Sequence, residues 1–110
     1  MTNQTLLATI HELKVWPEYF VAIWDGQKAF DLRKDDRGFQ VRDRLRLREY
    51  VVKEDQYTGR EIMAGVSFIL SNFPGLMPGY VVLGLNYYTM RKVIHPMDGI
   101  PPSAAASQES

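Results

Sequence analysis

Between Asp43 and Val52 the chain reads DRLRLREYVV, with Arg44, Arg46 and Arg48 at every second position and Leu45 and Leu47 between them. On a helix this spacing would scatter both residue types around the axis. On an extended strand it sorts the arginines onto one face and the leucines onto the other. A strand with one apolar face needs a sheet around it and a layer to cover it. A polar connection containing Gly59, from Glu54 to Arg60, leads to Glu61 to Leu70 (EIMAGVSFIL), which predicts a hairpin onto a more buried strand. A loop with two prolines (NFPGLMP) then precedes a last strand, Gly79 to Leu85, and residues 86 to 92 leave a short strand extension open.

Upstream the period changes. Ile10 to Val15 alternates and reads as a first strand. Pro17 suits a first helical position, Glu18 favours the helix dipole, and Tyr19, Phe20, Ile23 and Trp24 recur on one apolar face. Gly26 supplies the left-handed residue that ends a helix, so a helix is predicted over 17–25. Beyond it Phe30 and Leu32 share one face of a strand, Asp31 and Arg33 the other, and KDDRGF (34–39) forms a charged turn. Five short strands with an early helix predict a mainly β (α+β) fold with one or two flanking helices, a strongly bent sheet or small partly closed barrel that removes exposed strand edges. At 110 residues and 45% apolar content one domain is expected, over 10–88, with an N-terminal extension (1–9) and a C-terminal extension (89–110). The first nine residues are expected to be poorly ordered, and the small polar stretch Pro101 to Ser110 to be a disordered tail.

Net charge is zero, but ten of the 13 basic residues lie within 28–60 against seven acids, so this middle carries +3 and the remainder −3. Cysteine is absent, which excludes disulfides, thiolate metal sites and a cysteine nucleophile. His11 and His95 lack metal-ligand spacing, no serine sits in a nucleophile elbow, and no glycine-rich phosphate loop occurs. Neither metal nor cofactor is expected. Without a membrane-length apolar run or a secretory signal, the expectation is a cytoplasmic protein with no membrane partner.

Two groups of residues can carry function. Alternate residues of a strand lie about 6.5 to 7 Å apart on one face, so Arg44, Arg46 and Arg48 either track a phosphate backbone or pair with acids such as Asp43 and Glu49. The second group is in GQKAFDLRKDDRGF (26–39), where Asp31 and Arg33 are same-face neighbours. At a barrel mouth they would need hydrogen-bonding partners, and a ligand can be one. Strict alternation puts Lys28 on the opposite face; it joins them only if it belongs to the turn after Gly26. Trp16, Trp24, Tyr80, Tyr87 and Tyr88 either stack a base or fill the core, with Trp24 read as core.

The series HELKVWPEYFVAIWDGQKAFDLRKDDRGFQVRDRLRLREY, then YTGRE and PGYVVLGL, over about residues 10–85, resembles a short phage and bacterial domain of the ASCH (activating-signal-cointegrator homology) group in the PUA-like superfamily. The resemblance implies a small β-barrel with flanking helices and a cleft for RNA or a nucleotide, whose lining pattern is matched by Gly26, Lys28, Asp31 and Arg33. It places Lys28 beside Asp31, with the chain turning at Gln27 and Lys28. Some relatives are amidohydrolases that deacylate a modified cytidine with a lysine, a threonine and a glutamate. Lys28 matches the lysine, Asp31 stands in place of the threonine, and no glutamate-bearing segment is found between Leu70 and Gly79. Arg42 stands where relatives usually have glycine. The expectation is an RNA- or nucleotide-binding module using Lys28, Asp31, Arg33, Arg44, Arg46 and Arg48. The alternatives are an amidohydrolase using Lys28 and Asp31, and a phage-type factor that binds a host protein.

Overall fold

The computed structural model describes residues 8–92, so the expectations for residues 1–7, His95 and the C-terminal tail fall outside it. Strand β1 (Ile10–Val15) leads through Trp16 into helix α1 (Pro17–Trp24). Four strands follow: β2 (Phe30–Lys34), β3 (Arg44–Val51), β4 (Gln56–Ser71) and β5 (Tyr80–Lys92). They form one sheet in the order β1-β3-β4-β5-β2. β1 runs parallel to β3 and every other pairing is antiparallel. The sheet curls into a half-barrel whose two edge strands, β1 and β2, face each other across an open seam. Among the described residues no helix is long and apolar enough to cross a membrane.

The alternation read in the sequence sets the two faces. Leu13 and Val15, Leu45 and Leu47, Ile62, Ala64 and Val66, and Val81, Leu83 and Leu85 line the inside, and α1 closes over them with Phe20 and Ile23. Helix α1 begins as its sequence requires, with Pro17 at the first turn and Glu18 beside it. It ends at Gly26, whose φ of +80° lets the chain reverse. The N–H groups of Gln27 and Lys28 then both donate to the Ala22 carbonyl, at 2.8 and 3.0 Å. That turn carries Lys28 out of the alternation of β2.

The hairpin between β3 and β4 is tighter than the polar stretch 54–60 suggests. A 3-10 turn (Val52–Glu54) and the left-handed Asp55 (φ 51°) reverse the chain, and β4 starts at Gln56. Tyr50 then pairs with Tyr57, their rings packing edge to face at 5.2 Å, while the Tyr50 hydroxyl donates to Asp55. The charged run Lys53–Glu54–Asp55 makes the stretch read as a loop, whereas the pairing of Tyr50 with Tyr57 sets where the strand resumes. β5 likewise continues past Leu85 to Lys92, with Thr89 opposite Met63 and Met90 opposite Ile62. Register shifts between Met63 and Gly65 and between Val66 and Phe68 bend these long strands.

Arg42 occupies the position that favours glycine, with φ +83°. The backbone has no choice there: Arg42 N–H donates to the Val66 carbonyl at 2.8 Å, and Val66 N–H donates to the Asp43 carbonyl at 2.9 Å, tying the entry of β3 to β4. A residue with a Cβ loses about 1–2 kcal/mol in this region, offset in part by the greater chain entropy of glycine. Arg42→Gly is therefore expected to stabilise the fold by about 0.5–1 kcal/mol, read as a raised urea midpoint with unchanged slope. A lowered midpoint would show that the arginine side chain contributes more than its backbone costs.

Candidate functional site

Strand β2 presents its charged face to the inside of the half-barrel. Asp31 sits opposite Leu83 and Arg33 opposite Val81, two core positions of β5, and Asp31 is only 5% exposed. Phe30 and Leu32 point outward, 45% and 53% exposed. A buried carboxylate is costly unless its oxygens are engaged. Here the Arg33 Nε lies 2.5 Å from Asp31 Oδ2, and the Lys28 ammonium lies 3.7 Å from Oδ1. Ammonium, carboxylate and guanidinium thus share one hollow.

The same guanidinium reaches across the seam. Arg33 Nη2 donates to the Lys14 carbonyl at 2.6 Å, and farther along Arg37 Nη1 donates to the Glu12 carbonyl at 3.1 Å. Side chains from the β2 side therefore satisfy the outer carbonyls of β1 where a barrel would have a ladder. Between the edges lies an open cavity of about 360 Å³, lined by Lys28, Asp31 and Arg33 with Trp16, Tyr19 and Leu32. A neighbouring hollow of about 490 Å³ shares Trp16, Leu32 and Arg33 and continues toward Arg37 and Tyr80, making a groove along the seam. The smaller cavity falls within the size range of small-ligand sites.

One wall of the cavity is aromatic. Trp16 and Tyr19 stack with ring centroids 6.1 Å apart and planes inclined by 28°, and both are about half exposed. The Lys28 ammonium lies 5.0 Å from the Tyr19 ring centre and 5.2 Å from that of Phe30, within cation–π range. The helical pattern groups Tyr19 with Phe20, Ile23 and Trp24, yet only Phe20 and Ile23 are fully buried. Its three-residue spacing from Trp16 is the sequence signal that the two rings share a side of α1.

The arginine row is divided. Arg48 pairs with Glu12 at 2.9 Å and with Glu61 at 3.2 Å; Arg46 approaches the same two carboxylates at 3.6 and 3.8 Å, and Arg91 reaches Glu61 at 3.4 Å. Glu61 is fully buried beneath them. Asp43 and Glu49, the acids nearest in sequence, hold other groups. Asp43 turns inward, its Oδ2 2.8 Å from His11 Nε2 and accepting the Gln40 N–H at 2.9 Å. Glu49 holds Arg60 through two bonds of 2.9 and 3.0 Å and accepts the Thr58 hydroxyl at 2.7 Å. These bonds to Glu49 raise the Arg60 pKa above its ordinary value, and its guanidinium lies over the Trp24 ring, 4.9 Å from its centre. Arg44, at the start of the row, has no ion pair among the described residues.

Residues 10–85, from the first residue of β1 to the middle of β5, match the family described as a domain of unknown function, DUF3850. The chain belongs to that family. It is also 32% identical over 78 residues to an Escherichia phage P2 protein described as an uncharacterized 12.9 kDa protein in the GpA 3' region; the match covers 71% of this chain and 69% of the phage protein. The family match contains every residue of the seam cavity, so the cleft belongs to the DUF3850 domain itself.

Removing one partner of a buried ion pair strands the other, at a cost of about 3–5 kcal/mol. Glu61→Ala in this DUF3850 domain is accordingly expected to lower unfolding stability by about 3 kcal/mol or more, measured by urea denaturation. A change under about 1 kcal/mol would mean that Arg46, Arg48 and Arg91 find water or other acids as readily.

Proposed function

We propose that this DUF3850 domain binds a nucleobase-bearing ligand, single-stranded RNA or a free nucleotide, in the seam cleft, as the likeness to the ASCH group of PUA-like domains implies. What carries the reading is the convergence of Lys28, Asp31 and Arg33 beside the exposed Trp16–Tyr19 pair. Unpaired bases are recognised by stacking on aromatic faces and by hydrogen bonds to their polar edges. The cleft holds both kinds of group within one small cavity. At 3.7 Å the contact of Lys28 with Asp31 Oδ1 is longer than a hydrogen bond, which leaves that oxygen able to accept from a base amino group. Lys28 is placed for a phosphate or base oxygen, and Arg33 fixes Asp31 from the other side. A duplex stacks its base faces and pairs its Watson–Crick edges, so the fit is to single strands or mononucleotides.

Binding of short single-stranded RNAs, followed by fluorescence anisotropy across a salt series, tests this. Trp16→Ala, at an exposed position, is expected to weaken affinity by roughly five- to a hundredfold, the range for losing one stacked base. Lys28→Ala is expected to lower the salt slope by about one. No binding at low salt, or equal affinity in both variants, would overturn the reading. The lysine and carboxylate are also the groups that acyl-amide hydrolysis would use, although the lining contains no serine, threonine or glutamate. Acetate release from acetylcytidine that is lost in Lys28→Ala would replace binding with catalysis.

A further inference from the structure

On the outer face of the sheet, where β3 enters beside the bends of β4 and β5, lies a second hollow of about 390 Å³. It shares no residue with the seam cleft. We propose that this hollow is a separate phosphate site, in which Arg42 and Arg44 hold the anion, Ser67 and Asn86 complete its hydrogen bonds, and the Tyr87 ring covers one side.

The first observation is the division of charge along β3. Arg46 and Arg48 are neutralised by Glu12 and Glu61, whereas Arg42 and Arg44 have no ion pair among the described residues. No carboxylate lines the hollow, because Asp43, between the two arginines, turns inward to His11. The Arg44 Nε is buried and makes no hydrogen bond within the described residues; the same is true of the Arg46 Nε, but that guanidinium has the Glu12 and Glu61 carboxylates at 3.6 and 3.8 Å. A half-buried guanidinium with no carboxylate beside it is poorly compensated, and an anion in the hollow would offset its charge through the N–H groups that face outward. Guanidinium forks match phosphate oxygens, and two of them give a bidentate site.

Backbone strain is the second observation. Among the described residues four that are not glycine have a left-handed φ, and two of the four, Arg42 (83°) and Tyr87 (53°), flank this one hollow. Tyr87 lies in the irregular stretch of β5 between the pairs Met63–Thr89 and Gly65–Asn86, where the strand carries an extra residue. Such bulges re-aim side chains, and unfavourable backbone conformations persist where the surroundings over-determine them, often at ligand sites. The bulge leaves Tyr87 82% exposed. Asn86 packs so closely over Gly65 that a Cβ there would lie 2.8 Å from its Oδ1, which fixes the amide at the rim.

Nuclear magnetic resonance tests the proposal on the full chain. Inorganic phosphate, at ionic strength matched with chloride, is expected to move the Arg44 Nε–H and Tyr87 amide signals saturably. A nucleoside monophosphate and a short RNA, titrated in parallel, distinguish a free phosphate from a backbone one. Arg42→Gly removes one guanidinium while relieving the backbone, so it should fold at least as well and yet bind phosphate about tenfold more weakly, as loss of a charged hydrogen bond implies. In Arg44→Gln, which has no guanidinium to observe, the Tyr87 amide response should be lost. In Lys28→Ala the Arg44 response should persist, whatever becomes of RNA binding in the seam cleft. Chloride shifts equal to those from phosphate, undiminished affinity in both arginine variants, or loss of the Arg44 response in Lys28→Ala would each overturn the proposal.

Discussion

The Arg33 guanidinium holds two parts of the molecule at once, the Asp31 carboxylate at 2.5 Å on its own strand and the Lys14 carbonyl at 2.6 Å on the opposite edge. Five strands curled on themselves bring two edges together without enough strands to pair them, and unpaired carbonyls between those edges need donors. Arg33 and Arg37 provide donors that span a wider gap than a backbone ladder can. The gap is what leaves room for a cavity. A closed barrel of this size would fill its inside with side chains. Here one wall of the interior is charged, and the desolvation of Asp31 is offset by two cations and by the opening to solvent through the seam.

The basic middle of the chain does not become a basic surface. Glu12 on β1, Arg46 and Arg48 on β3, Glu61 on β4 and Arg91 on β5 form an alternating-sign row across four neighbouring strands. Cross-strand pairs of opposite charge support a sheet, and a buried carboxylate serving several guanidinium groups supports it more than an exposed pair would. The long-range field of these arginines is therefore largely cancelled. The cations outside that row include Lys28 and Arg33 in the seam, and Arg42 and Arg44 at the entry of β3.

The strands were legible where alternation was strong. Arg44, Arg46 and Arg48 lie on the outer face and Leu45 and Leu47 inside, as period two requires. Alternation says which residues share a face but not which face is inside, and β2 illustrates the limit. Phe30 and Leu32 are outside because the inward positions belong to Asp31 and Arg33, whose partners come from the turn after α1 and from β1. Alternation alone puts Lys28 on the opposite face, and only the resemblance places it beside Asp31; the turn after Gly26 is what brings it there. The acids that neutralise Arg48 are not legible from spacing, since Glu12 lies 36 residues away and only the parallel pairing of β1 with β3 brings it near. Similarly, the continuation of β5 beyond Leu85 depends on partners in β4 that local composition does not reveal.

The backbone under the aromatic wall of the cleft is tied to the core, because one short helix serves both. Phe20 and Ile23 anchor α1 inside the half-barrel, and the Glu49-bound Arg60 packs its guanidinium over Trp24 from below. Trp16, the residue that starts the helix, accepts the N–H groups of Tyr19 and Phe20 at its carbonyl, at 3.0 and 2.8 Å. The Trp16–Tyr19 pair is thus fixed relative to Phe20 by backbone bonds within one helical turn. At the other end of the same helix, the bonds from Gln27 and Lys28 to Ala22 fix the backbone from which the Lys28 side chain reaches Asp31. Because the backbone that carries the rings and the lysine is set by α1, and the carboxylate by Arg33, a ligand entering the seam would need to order side chains but no loop. The cost that usually separates buried area from affinity would be correspondingly small.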